Sequence, residues 1–266
     1  MKKKAIVATL FVFILIACSK VPISNRRQVN MLPESTLMSM SLTSYRDFLK
    51  QKVIVPKSDP QAQMIERVGT NIAKSVTTFL KRKKNTKRIK NFKWEFNLVN
   101  DPTVNAWCMP GGKVVFYTGI LPITNDEAGI AVVMGHEIAH AVARHGNERM
   151  SQQLLVAAGG ISLAIALNEK PKEARDIFLS SYGIGTTLGV LKYSRTHESE
   201  ADKMGLVFMA MAGYNPEVAV GFWERMANQA KGAKPPEFIS THPSDERRIK
   251  DIKEFLPQAK KYYKVS

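Results

Sequence analysis

Apolar residues recur at helical spacing along most of the chain, and strict alternation is confined to one region. Between positions 64 and 72 they recur every three or four residues, directly after an Asp59-Pro60 pair that suits the start of a helix. From Phe92 to Leu98 every second residue is large and apolar, which predicts a strand with one apolar face. A tight turn at 110–112 leads into a second predicted strand at 113–118.

The second half of the chain is predicted to be helical. Asp126 can cap a long helix that runs to about Met150, and another helix starts at Ser194 and stops at Gly213. Two short strands among many helices predict a mainly helical α+β fold. We expect one domain at 46–260 and a short tail at 261–266, and we find no internal repeat of solenoid or propeller length.

The first residues form a separate unit. Three lysines at 2–4 precede an apolar stretch at 5–17, which is typical of a secretory signal peptide and too short to span a bilayer comfortably. Cys18 follows directly, as in a bacterial lipobox, so we predict a signal peptide at 1–17, lipid attachment at Cys18 and a polar tether at 18–45. An uncleaved anchor helix is the alternative. Ser19 after the cysteine is typical of lipoproteins that reach the outer membrane, which predicts the periplasmic face of that membrane of the bacterial cell envelope.

Charge and cysteine content narrow the possible partners. The formal net charge is +16, and seven of the ten residues at 81–90 are Lys or Arg. A solvated helix end explains this basic run, and contact with anionic lipid headgroups is the alternative. Nucleic acid is not expected as a partner of an exported chain. After Cys18 only Cys108 remains, so no internal disulfide is expected, and Cys108 is predicted to be a small buried residue.

The pattern His136-Glu137-Ile138-Ala139-His140 carries the candidate chemistry. Residues four apart differ by about 40° around a helix axis, so His136 and His140 project from one face and can hold one zinc ion. Glu137 lies about 100° round, where it can take a proton from a metal-activated water without binding the metal. On the same helix His145 lies about 180° from His136, which predicts that it faces away from the ion.

A catalytic zinc needs a third protein ligand, and the segment 197–202 supplies the candidates. If Lys203 faces solvent, Glu198 lies about 140° from it, on the inward side of the helix, whereas Glu200 lies only about 60° from it, toward solvent. Glu198 is therefore predicted as the ligand, in preference to Glu200 and His197. Asp202, one turn beyond Glu198, is predicted to accept the second ring proton of a ligating histidine, with an ordinary surface carboxylate as the alternative.

His242 is a further candidate, because it lies in a loop just before the last predicted helix. Three roles stay open for it. It could stabilise a tetrahedral oxyanion, occupy the open metal position in a resting state, or only cap local structure.

Together these motifs resemble those of peptidase family M48. The resemblance covers about 60–255 and rests on the HExxH pattern, the Glu198/Asp202 pair, the Pro110-Gly111-Gly112 turn and the segment 241–243. It implies one zinc ion per chain, held by His136, His140 and Glu198, with Glu137 as the general base. It also implies a gluzincin-type fold, in which a small β-sheet packs on the active-site helix. The substrate would pair along an edge strand formed by Gly112, Lys113, Val114 and Val115.

The chain lacks the multiple hydrophobic spans of the membrane-embedded members, so it is similar to the soluble periplasmic members. The resulting prediction is a zinc-dependent endopeptidase of the bacterial envelope, with unfolded envelope proteins as substrates and a role in protein quality control. The alternative is a zinc-containing lipoprotein that acts as a non-catalytic binding or chaperone module.

Overall fold

The computed structural model describes residues 18–157, 171–184, 193–230, 236–242 and 246–264, so the predicted signal peptide at 1–17 lies outside it. Within these ranges the helices are α1 (Glu34–Lys50), α2 (Pro60–Arg82), α3 (Leu121–Thr124), α4 (Glu127–Ala143), α5 (His145–Ala157), α6 (Pro171–Ser181), α7 (Arg195–Met211), α8 (Val218–Ala230), α9 (Glu237–Thr241) and α10 (Glu246–Lys260). The strands are β1 (Cys18–Lys20), β2 (Arg27–Val29), β3 (Glu95–Val99), β4 (Ala106–Met109) and β5 (Lys113–Tyr117). The mainly helical α+β class is confirmed. No helix in the described part of the chain is both long and apolar enough to cross a membrane.

Helices α4 and α7 form the centre of the domain. Every residue of α4 from Gly129 to Ala143 is buried. At the contact between the two helices Gly135 faces Gly205, and a Cβ atom on Gly205 would lie only 2.9 Å from the backbone nitrogen of His136. Because neither glycine carries a side chain, the two backbones approach more closely than any other pair of residues would allow.

Helix α2 and the sheet enclose this pair of helices. Asp59 caps α2 by accepting a hydrogen bond from the Gln61 nitrogen at 2.7 Å, and Pro60 occupies the first turn, as predicted. The apolar side of α2 packs against α4 and β3, and its residues Ile65, Val68, Ile72 and Val76 are fully buried. The main apolar core therefore lies between α2, α4, α7 and the sheet.

The sheet differs from the prediction in its strand order. Its three strands are arranged β3-β5-β4, with β3 parallel and β4 antiparallel to β5. The strand that begins at Lys113 is thus central, and strands on both sides use its hydrogen-bonding groups. The prediction of a substrate edge strand at Gly112, Lys113, Val114 and Val115 is wrong, because β4, which shows no alternation of apolar and polar residues, went unrecognised.

The active-site helix also ends earlier than predicted. Arg144 adopts a left-handed conformation with φ 64°, which ends α4 at Ala143 and starts α5 in a new direction at His145. Side chains from distant segments stabilise this end of the helix. Gln28 donates to the carbonyl of Ala143 at 2.8 Å, and Arg88 donates to the carbonyl of Val142 at 2.8 Å. These tertiary contacts satisfy helix carbonyls that would otherwise lack partners.

Residues 18–45, predicted to be a tether, are folded against the domain in this structure. Strands β1 and β2 form an antiparallel hairpin, and α1 buries Leu37 and Tyr45 against the sheet side of the molecule. Ser41 donates a hydrogen bond to the carbonyl of Pro110 at 2.7 Å. Several polar side chains of this segment, Gln28 and Ser41 among them, hydrogen-bond to the domain.

Candidate metal centre

Four side chains from three parts of the chain converge on one buried point. His136 and His140 project from successive turns of α4, Glu198 comes from the first turn of α7, and His242 follows α9. One possible ligand atom from each lies within 4.8 Å of the others, and all four residues are at most 4% exposed. The arrangement could hold a metal ion.

The distances define the shape of this cluster. The Nε2 atoms of His136 and His140 lie 3.0 Å apart. The Glu198 carboxylate faces both rings. Its Oε2 atom lies 3.4 Å from Nε2 of His136, and its Oε1 atom lies 3.4 Å from Nε2 of His140. Glu198 therefore occupies the position predicted for it beside the two histidines.

His242 completes the cluster through Nδ1. This atom lies 3.0 Å from Oε1 of Glu198 and 3.2 Å from Nε2 of His136. The other ring nitrogen, Nε2, lies 3.4 Å from Oε1 of Glu137. Burial lowers the pKa of His242 to about 4, so the ring is neutral near pH 7 and can offer a lone pair to a metal.

Asp202 supports His136 from behind. Its Oδ1 atom lies 2.9 Å from Nδ1 of His136, where an ionised carboxylate can only accept a proton from the ring. Nδ1 of His136 therefore carries a hydrogen, which leaves Nε2 as the ring nitrogen that can bind a metal. Asp202 is buried, so the alternative of an ordinary surface carboxylate does not describe it.

Arg248, from α10, balances the charge of the two carboxylates on α7. It donates from Nε and Nη2 to the two oxygens of Asp202 at 2.8 and 2.7 Å. Its Nη1 atom lies 2.6 Å from Oε2 of Glu198. The guanidinium also stacks over the indole of Trp223, with its carbon 3.4 Å from the ring centroid. Burial opposes ionisation of Glu198, but interactions with His242 and Arg248 hold the pKa of Glu198 well below its ordinary value.

His145 stays outside the group of candidate ligands, as predicted, but not because it lies on the far face of one continuous helix. Because the chain turns at Arg144, His145 does not lie behind α4 but beside His140, with the two Nδ1 atoms 3.0 Å apart. It is not among the side chains that could hold a metal. Glu200, predicted to face solvent, is buried and accepts from Nε2 of His145 at 3.0 Å. No local signal in the sequence marks the change in direction at Arg144.

Glu137 lies at the edge of the cluster and is 3% exposed. Its Oε1 atom has no hydrogen-bond partner among the described residues. Burial raises the pKa of Glu137 to about 8, with the charge of Glu198 adding to this effect and that of His136 opposing it. A cation held by the cluster would lower this pKa again and restore a carboxylate base.

The donor set fits a zinc ion. Each of the three imidazoles can present a lone pair to the centre, and Glu198 presents a carboxylate oxygen. Nitrogen and carboxylate donors in groups of four are typical of zinc. The unsatisfied oxygen of Glu137 beside them is what a water at the metal would satisfy.

Two other sequence features have structural roles. Cys108 is buried, and burial raises the pKa of its thiol well above the ordinary value, which agrees with a packing role. In the basic run at 81–90 the Lys side chains are exposed, whereas Arg88 is buried and binds the carbonyl groups of Val142 and Lys20. One member of the run therefore joins α4 to the start of the N-terminal hairpin.

The fold and the cluster define a metallopeptidase-like domain, and comparison with known proteins agrees. The profile of peptidase family M48 matches residues 65–256. The mitochondrial metalloendopeptidase OMA1 of Schizosaccharomyces pombe is 35% identical over 242 residues, which cover 90% of this chain and 66% of that protein. OMA1 of Saccharomyces cerevisiae is 32% identical over 260 residues, which cover 93% of this chain and 71% of that protein.

A bacterial relative matches a shorter part of the chain. The beta-barrel assembly-enhancing protease of Escherichia coli K12 is 31% identical over 168 residues, which cover 60% of this chain and 34% of that protein. The family match extends over more than half of the chain, so this protein belongs to peptidase family M48. The family expected from the HExxH pattern and the Glu198/Asp202 pair is confirmed.

Replacing Arg248 with Met is expected to destabilise the fold strongly, because two buried carboxylates on α7 would lose their cation. Breaking a buried pair in this way costs about 3–5 kcal/mol. The adjacent Arg247 is the matched control, since its side chain is 67% exposed and pairs with Asp251 at 3.8 Å. Arg247→Met should change the free energy of unfolding in urea by less than about 0.5 kcal/mol. Equal unfolding midpoints for the two variants would contradict the role of Arg248.

Proposed function

We propose that this protein is a zinc-dependent endopeptidase. The observation that carries the proposal is the position of Glu137, whose buried and unsatisfied carboxylate oxygen lies beside a cluster of three imidazoles and one carboxylate. A purely structural metal site has no use for such a group. The names of the relatives, metalloendopeptidase and protease, support the same activity.

In this proposal His136, His140 and Glu198 hold one zinc ion. When bound, zinc supplies a Lewis acid that polarises the scissile carbonyl and lowers the pKa of the attacking water. Glu137 accepts the proton of that water and then delivers it to the leaving amine. Asp202 keeps the proton of His136 on Nδ1, away from the cluster, and Arg248 keeps both carboxylates of α7 ionised.

His242 defines a resting state in this proposal. Its Nδ1 atom lies within the cluster, and its Nε2 atom faces the general base at 3.4 Å. The ring thus fills the space where the attacking water has to lie, between Glu137 and the other three side chains. Hydrolysis therefore requires the buried His242 side chain to move aside in this proposal.

We propose unfolded proteins of the bacterial envelope as substrates, and a lipid-anchored position at the periplasmic face of the outer membrane. The three lysines, the apolar stretch at 5–17 and Cys18 support the anchor. The E. coli relative is named for the assembly of β-barrels, which supports a role in quality control there. The OMA1 relatives are named as mitochondrial, so a mitochondrial location is the competing outcome.

Glu137→Gln is expected to retain zinc and to lose cleavage of an unfolded protein such as casein. Loss of a general base lowers the turnover rate by roughly 10²–10⁴-fold, whereas the amide leaves the ligands in place. Zinc content is measured by atomic absorption on the same samples. Equal cleavage by wild type and variant would refute the peptidase and favour the non-catalytic binding module.

After cobalt substitution, Glu198→Ala and His242→Ala are expected to have different effects, because Glu198 is proposed as a ligand throughout and His242 only in the resting state. Loss of Glu198 should weaken metal binding by more than the roughly 10–100-fold that loss of an outer hydrogen-bond partner costs. His242→Ala should keep one cobalt ion per chain and change the visible spectrum, because water replaces an imidazole nitrogen. An unchanged spectrum in His242→Ala would show that His242 is not a ligand.

Cys18→Ala is expected to abolish labelling of the chain by radioactive palmitate in a bacterial host. Cys108→Ala is the matched control and should label like wild type, because Cys108 is buried. Labelling that persists in Cys18→Ala would contradict lipid attachment at this residue, whereas a wild-type chain that takes up no label would favour the uncleaved anchor helix.

A further inference from the structure

A chain of hydrogen bonds reaches His140 from the side opposite the cluster. The ionised carboxylate of Glu200 can only accept, so its 3.0 Å contact with Nε2 of His145 places a hydrogen on that nitrogen. A neutral imidazole has one N–H group, which leaves Nδ1 of His145 as an acceptor. The 3.0 Å contact between the two Nδ1 atoms is then a bond donated by His140. Its Nε2 lone pair consequently points into the cluster.

The two histidines of α4 are thus oriented differently. His136 donates directly to Asp202, whereas His140 reaches its carboxylate, Glu200, through the ring of His145. The side chains of His145 and Glu200 are 0% and 5% exposed, so water does not compete for these bonds. A partner on the outer nitrogen of a ligating histidine sets its tautomer and orientation, and this chain of bonds does so for His140.

The N-terminal hairpin holds the outer end of this series of hydrogen bonds, at Glu200. Arg26, in the turn between β1 and β2, donates from Nε and Nη2 to the two oxygens of Glu200, both at 3.0 Å. It also donates from Nη1 and Nη2 to the two oxygens of Glu148 on α5, both at 2.7 Å. One guanidinium therefore joins two carboxylates of the domain, and paired bonds of this kind fix geometry as well as charge.

The second carboxylate, that of Glu148, links Arg26 to His197. Glu148 accepts from Nε2 of His197 at 3.0 Å, and the His197 ring stacks on His145 with centroids 4.5 Å apart. Although burial opposes its ionisation, hydrogen bonds from Arg26 and His197 lower the pKa of Glu148 to about 2. Arg26 pairs with both Glu148 and Glu200, at 2.7 and 3.0 Å.

We propose that the N-terminal hairpin is a positioning element of the metal centre, in which Arg26 holds Glu200, Glu200 orients His145, and His145 orients His140 for metal binding. This inference rests on the proposed role of His140 as a zinc ligand. Arg26 lies eight positions after Cys18, so the segment next to the proposed anchor takes part in forming the site. Displacement of this hairpin would loosen the zinc ion without any change in the ligands themselves.

The test measures zinc affinity of the full chain in detergent by competition with a chromophoric chelator. His145→Leu removes the acceptor for His140 and should weaken zinc binding by roughly 10–100-fold, the usual effect of losing an outer partner. His145→Asn keeps an oxygen near the place of Nδ1 and should recover much of this loss. Arg26→Met should weaken binding in the same direction as His145→Leu. Arg27→Met is the matched control, since Arg27 is the next residue, exposed, and outside these bonds, and it should bind zinc like wild type.

The double variant Arg26→Met/His145→Leu separates positioning from general destabilisation. If Arg26 acts through His145, the double variant should bind zinc no more weakly than His145→Leu alone, because the two changes interrupt one chain of contacts. Losses that multiply, or an Arg26→Met affinity within two-fold of wild type, would overturn the inference.

If the wild-type chain itself binds no zinc, the proposed function fails, and this outcome is distinguishable because it precedes any comparison of variants. Should His145→Leu fail to fold, the comparison of Arg26→Met with Arg27→Met still decides the matter.

Discussion

The close contact of Gly135 with Gly205 is the constraint on which the metal centre depends. It brings the backbones of α4 and α7 together just beside His136. Only at this separation can the carboxylate of Glu198 lie within 3.4 Å of both histidines on α4. Asp202 reaches the other side of His136 from the same helix for the same reason. Two residues without side chains thus determine which polar side chains of the two helices meet.

Bringing these groups together places several ionisable side chains out of contact with water. An uncompensated buried charge would cost several kcal/mol, so each carboxylate requires a cation or several hydrogen bonds. Two arginines from outside the helix pair meet this requirement, and each binds two carboxylates. Arg248 binds Asp202 and Glu198, and Arg26 binds Glu200 and Glu148. No arginine or lysine among the described residues hydrogen-bonds to the carboxylate of Glu137, and burial raises its pKa.

The end of α4 connects the centre to the rest of the molecule. Arg144 turns the chain, and the carbonyl groups just before it bind side chains from the N-terminal hairpin and from the basic run. The same turn brings His145 to the outer nitrogen of His140. A segment that looks like a tether in the sequence therefore contributes both to the end of the active-site helix and to the environment of its second histidine.

Much of the site could be predicted from spacing along single helices. His136, His140 and Glu137 follow from the period of one helix, and the choice of Glu198 over Glu200 follows from the period of another. The caps at Asp126 and Ser194 are equally local, because a capping side chain bonds to a nitrogen two or three residues away. The family assignment rests on these same local patterns, and the profile match agrees with it.

The tertiary structure decided the features that local periodicity does not describe. The buried position of Glu200 and the location of His145 depend on a change of direction at Arg144, which contacts from distant residues stabilise. The central place of β5 depends on its pairing with β4, whose four residues are all buried and so show no alternation. Sequence spacing determines which side chains share a face of one element, because that follows from backbone geometry. Which faces meet is determined by long-range packing and charge compensation, and these act between residues far apart in the chain.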